Sequence, residues 1–333
     1  MYYLVGKFMV TIIEVAKKAK VSPSTASRYV RNPDVVSKEK AKRIKAAIEE
    51  LGYVPNIGAS VLKSNVSNMV GLVLPNTYNY LFSSVVCHLA SRLNDHNMKL
   101  LVLYSSDFEE MKEHIRTLVC LRCNSIVYLP ERRSHTITNL TISNDVYPLQ
   151  LFIDASPVFD SIVVDDFYGT YIATKELLKK GNKNIALVDG DNAVFQKRKE
   201  GMKKAYEDLK VPFDEEKQIC ALGVHTDVID FVSKHIYKNN NDAIIAVTET
   251  IAQQVCLALQ QAGKSIPNDI SLIVYDDSPW AKLANYSVIA HPIDELVNDI
   301  VQLVLNRETR GEKVNKLILH PMFLKRGSIK DRE

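Results

Sequence analysis

From residue 68 onward the sequence repeats one pattern: a short run rich in β-branched and other apolar residues, then a longer stretch with helical spacing. The runs are MVGLVLP, KLLVLYS, SIVYLP, LQLFID, SIVVDD, NIALVDG, AIIAVT and SLIVYDD. Runs this short and this continuously apolar suit strands buried on both faces, and the stretches between them supply covering helices. The alternation predicts an α/β fold built on parallel sheets. About 265 residues exceed what one such sheet organises around a single core, so two lobes are expected.

Residues 10–65 read differently. Thr11 precedes Ile12, Ile13, Val15, Ala16 and Ala19, an apolar set spaced to face one side of a helix that the Thr11 side chain can cap. A break at Lys20 and Val21 leads to Ser22 at an N-cap position and Pro23 at the first helical residue, where a missing N–H costs nothing. The second helix should run from about Pro23 to Val30, turning Ala26, Tyr29 and Val30 onto the first and leaving Ser24, Ser27, Arg28 and Arg31 exposed. Asn32, Pro33 and Asp34 make a turn, Ser37 caps a third helix carrying Ile44, Ala47, Ile48 and Leu51, and Gly52 ends it. The result is an all-α helix-turn-helix head whose exposed face suits a major groove. Segment 1–66 carries twelve Lys and Arg against five Asp and Glu, net +7, so a whole-chain charge of +3 leaves −4 on the remainder. Charge gathered this way neutralises phosphates, and the expected partner is double-stranded DNA.

The runs VTIIEVAKKAKVSPSTASRYVRN and VSKEKAKRIKAAIEELGYVPN resemble, without a gap, the DNA-binding domain of the lactose and galactose repressor family. The resemblance implies a transcriptional repressor acting as a homodimer on the two half-sites of a pseudopalindromic operator. It implies base-edge contacts from Pro23, Ser24 and Arg28, phosphate contacts from Thr11, Ser22, Ser27, Ser37 and Asn56, and a minor-groove wedge from Leu62. Two plainer roles stay open: Pro23 as a helix starter rather than a surface for a thymine methyl, and Leu62 packed on its own domain. The family usually carries Gly in the turn before the second helix; Lys20 here must hold a left-handed conformation at roughly 1 kcal/mol. The implied organisation is a head at 9–55, a hinge at 56–66 and an effector-binding and dimerisation core at 67–333. The hinge, small, polar and free of aromatic residues, is expected to fold into a short helix on DNA. The leader MYYLVGKF ahead of Met9 reads as an extension from an early start codon.

Farther on, IVVDDFYGTYIATKELLKKGNKNIALVDG and IPNDISLIVYDD resemble the family's sensor core, which is similar to periplasmic sugar-binding proteins. The resemblance implies two interleaved lobes, with the chain crossing near Asp166, near His291 to Ile293 and near His320 to Met322. Ligands in such folds sit between the lobes, outside the carboxyl ends of the strands. Arg198 matches the family's Arg that forks onto effector hydroxyls and Asp276 its carboxylate acceptor, a pair expected to clamp the ligand from opposite lobes. Asp154 also follows a strand, Phe82 aligns with a wall position, and Tyr80 and Phe195 are further aromatic candidates. Thr248 and Glu249 stand where the family usually has Asn-Asp. A strand-end Asp that caps a turn and a Phe that belongs to the core are the plainer alternatives. With Asp154, Glu249 and Asp276 around Arg198 as the main cation, a neutral sugar is easier to satisfy than a phosphorylated one.

The five cysteines, Cys87, Cys120, Cys123, Cys220 and Cys256, are odd in number and scattered, and no secretory signal precedes them, which places the chain in a reducing cytoplasm. Cys120 and Cys123 form one C-x-x-C without a second ligand pair, so core thiols are favoured over zinc. The sequence shows no nucleophile elbow, phosphate loop or metal constellation, and no enzyme activity, metal or cofactor is expected. No stretch approaches the roughly 20 apolar residues of a membrane span. A sugar-binding protein or a sensor with another regulatory output would share the core, and an enzyme on an α/β fold is the third class. The end, KLILHPMFLKRGSIKDRE, carries no heptad helix, so a dimer rather than a tetramer is expected.

Overall fold

Helix α1 (Ile12–Ala19) starts from a reciprocal cap: the Glu14 N–H donates to Thr11 Oγ1, and the Thr11 N–H donates to Glu14 Oε2 at 2.7 Å. Those two residues satisfy orphan backbone groups from both sides. The computed structural model describes residues 10–55, 66–76, 79–130, 135–142, 144, 146–190, 194–223, 227–309 and 313–332, apart from the side chains of Arg31, His135, Thr136, Thr138, Ile142 and Tyr237. Its contacts divide the chain into Met1–Ser67 and Asn68–Glu333.

In the first unit Lys20 ends α1 with φ 52° and ψ 50°, the left-handed turn expected where the family carries Gly. Ser22 caps α2 (Pro23–Arg31), accepting from the Thr25 N–H, and Pro23 is its first residue. A single 3₁₀ turn (Pro33–Val35) leads to α3 (Lys38–Leu51), which Gly52 closes at φ 61°. Val15, Ala19, Ile44 and Ala47 form the core, with Tyr29, Ile48 and Leu51 packed around it. Two expectations need correcting. Ile13 is 63% exposed, because Ile12, Val15, Ala16 and Ala19 complete an i, i+3, i+4, i+7 stripe from which Ile13 is turned by one residue. Ser37 holds the N-cap position of α3 but makes no side-chain cap bond.

The second unit contains two six-stranded sheets. The first joins β1 (Met69–Pro75), β2 (Lys99–Ser105), β3 (Ser125–Tyr128), β4 (Tyr147–Leu151), β5 (Asp160–Val164) and β11 (Lys316–Leu319) in the order β11-β5-β4-β3-β1-β2, every pair parallel. The second joins β6 (Ile185–Gly190), β7 (Ile219–Leu222), β8 (Ala243–Ala246), β9 (Ser271–Tyr275), β10 (Ser287–Ala290) and β12 (Met322–Leu324) in the order β12-β10-β9-β8-β6-β7. Here β12 runs antiparallel to β10 and the remaining pairs are parallel. The eight expected runs are all strands, and β7, β10, β11 and β12, each three or four residues long, are added to them.

The chain leaves the first sheet after Val164, returns to it beyond Ala290, and leaves again between Leu319 and Met322. Those crossings coincide with Asp166, His291 to Ile293 and His320 to Met322. After the second crossing the helix Ile293–Leu305 packs Leu296, Val297, Ile300 and Val301 into the core of the first sheet, against Val70, Leu72 and Leu149. In the second lobe the helices Asp166–Lys179 and Phe195–Asp208 approach so closely that a methyl on Gly201 would stand 2.2 Å from the Phe167 carbonyl oxygen. Among the cysteines, Cys123 and Cys220 are buried, and burial pushes their thiols up to about 11 and about 12, which makes them inert. Cys120 is exposed, so the core-thiol reading of the C-x-x-C holds for its second member and fails for its first.

Gly201→Ala should force the two helices apart and cost about 1–3 kcal/mol, read as a lower melting temperature of the core. An unchanged melting curve would show that the contact is not tight in solution.

Candidate DNA-reading head and effector cleft

Helix α2 is anchored by Ala26, which is fully buried, with Tyr29 and Val30 half-buried beside it. That anchor turns Pro23, Ser24 and Arg28 outward, all exposed, while Ser27 is half-buried at the rim of the same face. The Ser22 hydroxyl is engaged locally, 2.9 Å from Ser24 Oγ and 2.8 Å from Thr25 Oγ1. Thr11 and Ser37 are exposed. Asn56, Leu62 and the Arg31 side chain lie outside the described residues.

In the core, Arg198 sits on the helix Phe195–Asp208 with its side chain 9% exposed. Its Nε donates to Asp166 Oδ1 at 2.7 Å, its Nη1 donates to Asp189 Oδ2 at 3.0 Å, and its cation lies 4.8 Å above the Tyr275 ring. The Tyr275 hydroxyl in turn stands 2.7 Å from Thr170 Oγ1. Burial works against the charge on Arg198, and the two carboxylates overcome it, holding the guanidinium above its ordinary pKa. Asp189 moves the other way: burial raises its pKa, and the attraction of Arg198 does not fully offset that. Burial likewise raises Tyr275.

Asp276 follows β9 with φ 72° and is buried, its Oδ1 2.6 Å from His291 Nδ1. Since a carboxylate only accepts, the imidazole donates. Arg198 follows β6 and Asp276 follows β9, two strands of one sheet. The pair therefore stands in a single lobe, and the expected clamp from opposite lobes is corrected.

A cleft of about 570 Å³ opens between the lobes. Asn76, Asn79, Tyr80, Phe82, Ser83 and Tyr104 line it from the first lobe, and Glu249, Thr250 and Gln253 from the second. Three sequence candidates thus line the cleft, Tyr80 and Phe82 from the first lobe and Glu249 from the second. Glu249 accepts from Gln253 Nε2 at 3.0 Å, and Asn79 caps the helix Tyr80–Asp95 by accepting from the Leu81 N–H at 2.8 Å. Thr248 caps the next helix through the Ile251 N–H, from a backbone at φ 73° and ψ 146°. Phe195 packs half-buried against the core that contains Met202 and Ala205. Asp154 is exposed and pairs with Lys316, the first residue of β11, because the short 152–159 connection runs back along the sheet to start β5. Neither Asp154 nor Phe195, Arg198, Thr248 or Asp276 is among the residues that line the cleft.

Sequence reasoning missed Asp166 and Asp189 as partners of Arg198, and His291 as partner of Asp276. The strand-end Asp in NIALVDG was the one available signal; the other pairings depend on tertiary contact. Among the described residues no group of three or more His, Cys, Asp or Glu is placed to hold a metal ion, and no helix is long and apolar enough to cross a membrane.

The model for the lacI family of bacterial regulatory proteins matches residues 11–56, and that for the periplasmic binding protein-like domain matches residues 174–329. Residues 11–56 carry a lacI-type DNA-binding head, and the chain is related to the purine and ribose repressors. It is a DNA-binding transcriptional regulator. It is 28% identical to the transcriptional regulator DegA of Bacillus subtilis, over 96% of this chain and 97% of that protein. Identity to the ribose operon repressor of Haemophilus influenzae is 26%, over 96% and 99%. A solved lac repressor dimer, bound to operator and the anti-inducer ONPF, has the same fold, with TM-score 0.82 and 21% identity over 97% of this chain and 100% of that one. The family head coincides with α1 to α3, and the sensor match spans both Arg198 and Asp276.

Arg198→Ala would leave Asp166 and Asp189 buried without their cation and should destabilise the core by about 3–5 kcal/mol at neutral pH. A raised carboxylate keeps its proton longer folded than unfolded, so the variant's stability falls as pH rises through the Asp189 titration and recovers on acidification. Denaturant melts across pH 5 to 8 check both the size and the sign.

Proposed function

We propose that the protein is a cytoplasmic repressor that binds a pseudopalindromic double-stranded operator as a homodimer and is controlled by a neutral sugar held between its lobes. The observation that carries the reading is the cleft wall itself: amides, hydroxyls, aromatic rings and one carboxylate, with neither Lys nor Arg among its described lining residues. Hydroxyl-rich ligands satisfy such groups by exchanging hydrogen bonds and covering ring faces, whereas a phosphate would need a cation. Arg198, which is not among the described lining residues, faces two carboxylates instead. The names of a ribose operon repressor and of an operator-bound lac repressor dimer, both similar to this chain throughout their length, support the regulatory half of the reading.

In this reading the head spans 9–55, the hinge 56–66 and the core 67–333. Pro23, Ser24 and Arg28 face base edges, Thr11, Ser22, Ser27, Ser37 and Asn56 hold phosphates, Arg31 extends the basic face, and Leu62 opens the minor groove. Tyr80, Phe82 and Glu249 contact the effector, and Arg198 and Asp276 reach it from the second lobe. The ligand favours one arrangement of the lobes over the other and so biases whether the two hinges order on DNA. The chain acts as a regulator without catalytic turnover.

Operator selected from random duplexes should be released or bound more tightly when the full-length protein meets one member of a panel of neutral mono- and disaccharides that includes ribose and cellobiose. No response across the panel would remove the sugar assignment. Arg28→Ala should cost about 1–3 kcal/mol of specific binding and relax preference at one position per half-site. An equal loss on random DNA would make Arg28 a phosphate contact.

A further inference from the structure

Where the chain crosses back toward the first lobe, His291 touches both halves of the core. Its side chain is 5% exposed, directly after β10 and before the helix Ile293–Leu305 that packs on the first sheet. On the second-lobe side, Nδ1 donates to Asp276 Oδ1 at 2.6 Å and the ring lies 6.0 Å from Tyr275. On the first-lobe side, the ring stands edge-on to Phe152 at 6.3 Å, and Phe152 packs at 5.9 Å on Phe82, a cleft-lining residue.

Two of the partners are held in the left-handed region: Phe152 at φ 64° and Asp276 at φ 72°. Neither is glycine, so each conformation persists because its surroundings enforce it, and such strain gathers where side chains are aimed for function. His291 is the contact they share. Its hydrogen bond occupies one carboxylate oxygen of Asp276 and leaves Oδ2 without a hydrogen-bond partner among the described residues.

We propose that His291 is a positioning residue with two separable actions. Its Nδ1–H sets the Asp276 carboxylate so that Oδ2 can accept from the effector, and its ring, through Phe152 and Phe82, ties that orientation to the crossing between the lobes. The first action rests on the effector reading given above; the second does not.

Substitutions separate the two. His291→Phe keeps a ring against Phe152 and removes the donor, while His291→Asn keeps a donor near Nδ1 and removes the ring. Trp280, the single tryptophan of the chain, stands shortly after Asp276 and reports on this region by fluorescence. Titrating full-length protein with cellobiose and with ribose, His291→Phe should bind the responding sugar about ten- to a hundredfold more weakly, the loss that follows removal of a hydrogen bond to a charged group. His291→Asn should stay within about threefold of the parent protein. Hydrogen exchange in the ligand-free protein should show the reverse: amides of Phe152, Asp276 and Ile293 exchange about tenfold faster in His291→Asn and near the parent rate in His291→Phe. His291→Leu, lacking both donor and ring, should lose both properties and replaces His291→Phe if the larger ring prevents folding.

Parent-like affinity and exchange in all variants would overturn the proposal. So would losses that merely track a fall in melting temperature and are not restored by the asparagine. If no sugar changes the fluorescence of the parent protein while exchange still separates the variants, the sugar assignment fails and the lobe-tying role of His291 stands.

Discussion

The buried cluster of Arg198, Asp166 and Asp189 is the constraint on which the second lobe is arranged. It joins the helix Phe195–Asp208, the first residue of the helix Asp166–Lys179 at a lobe crossing, the end of β6 and, through the Tyr275 ring, the end of β9. One cation against two carboxylates in a desolvated site is stable only with close hydrogen bonds, and Arg198 makes them with both. Gly201, three residues on and on the same helix face, allows the helices the near approach that brings Arg198 to Asp166. A residue that the resemblance matches to a ligand contact is thus a strut of the second lobe.

Beyond this cluster, three of the nine described non-glycine residues with positive φ stand at one kind of place. Phe152, Thr248 and Asp276 have φ of 64°, 73° and 72°, and they follow β4, β8 and β9 at or near the carboxyl ends of parallel strands. A parallel sheet delivers every strand to the same edge, where ligands of open α/β folds sit. A left-handed residue there swings the chain out of the strand direction and re-aims the side chain. The charge pattern follows the same division of labour: basic residues gather in the head, while the described cleft wall carries Glu249 and no cation. The head and the described cleft wall therefore present surfaces of different sign.

The extent to which these features were legible depends on distance along the chain. Thr11, Lys20, Ser22, Pro23 and Gly52 act on backbone groups within a few residues, and each stands in its expected place. Eight of the twelve described strands were readable because they are β-branched runs between helical stretches. The others, at three or four residues, are too short to show a period, and their strand identity comes from the neighbours that pair with them. Ile13 misled because an isoleucine beside a stripe looks like part of it until the helix phase is known.

For the candidate core site the sequence named residues but not their relations. The motif resemblance named Arg198 and Asp276, but strand order put them in one lobe. Asp154 was read from its strand-end position, and its partner is Lys316, 162 residues away. His291 carried no signal of its own, since its contact with Asp276 exists only once β9 and β10 lie side by side. The sequence by itself determined the caps of the first two helices, most of the helix faces, the basic head and the alternation of strand and helix, because these follow from interactions between near neighbours. Only the tertiary structure decided which charges are paired and which side chains reach the cleft, because both depend on strands and helices distant in sequence packing side by side.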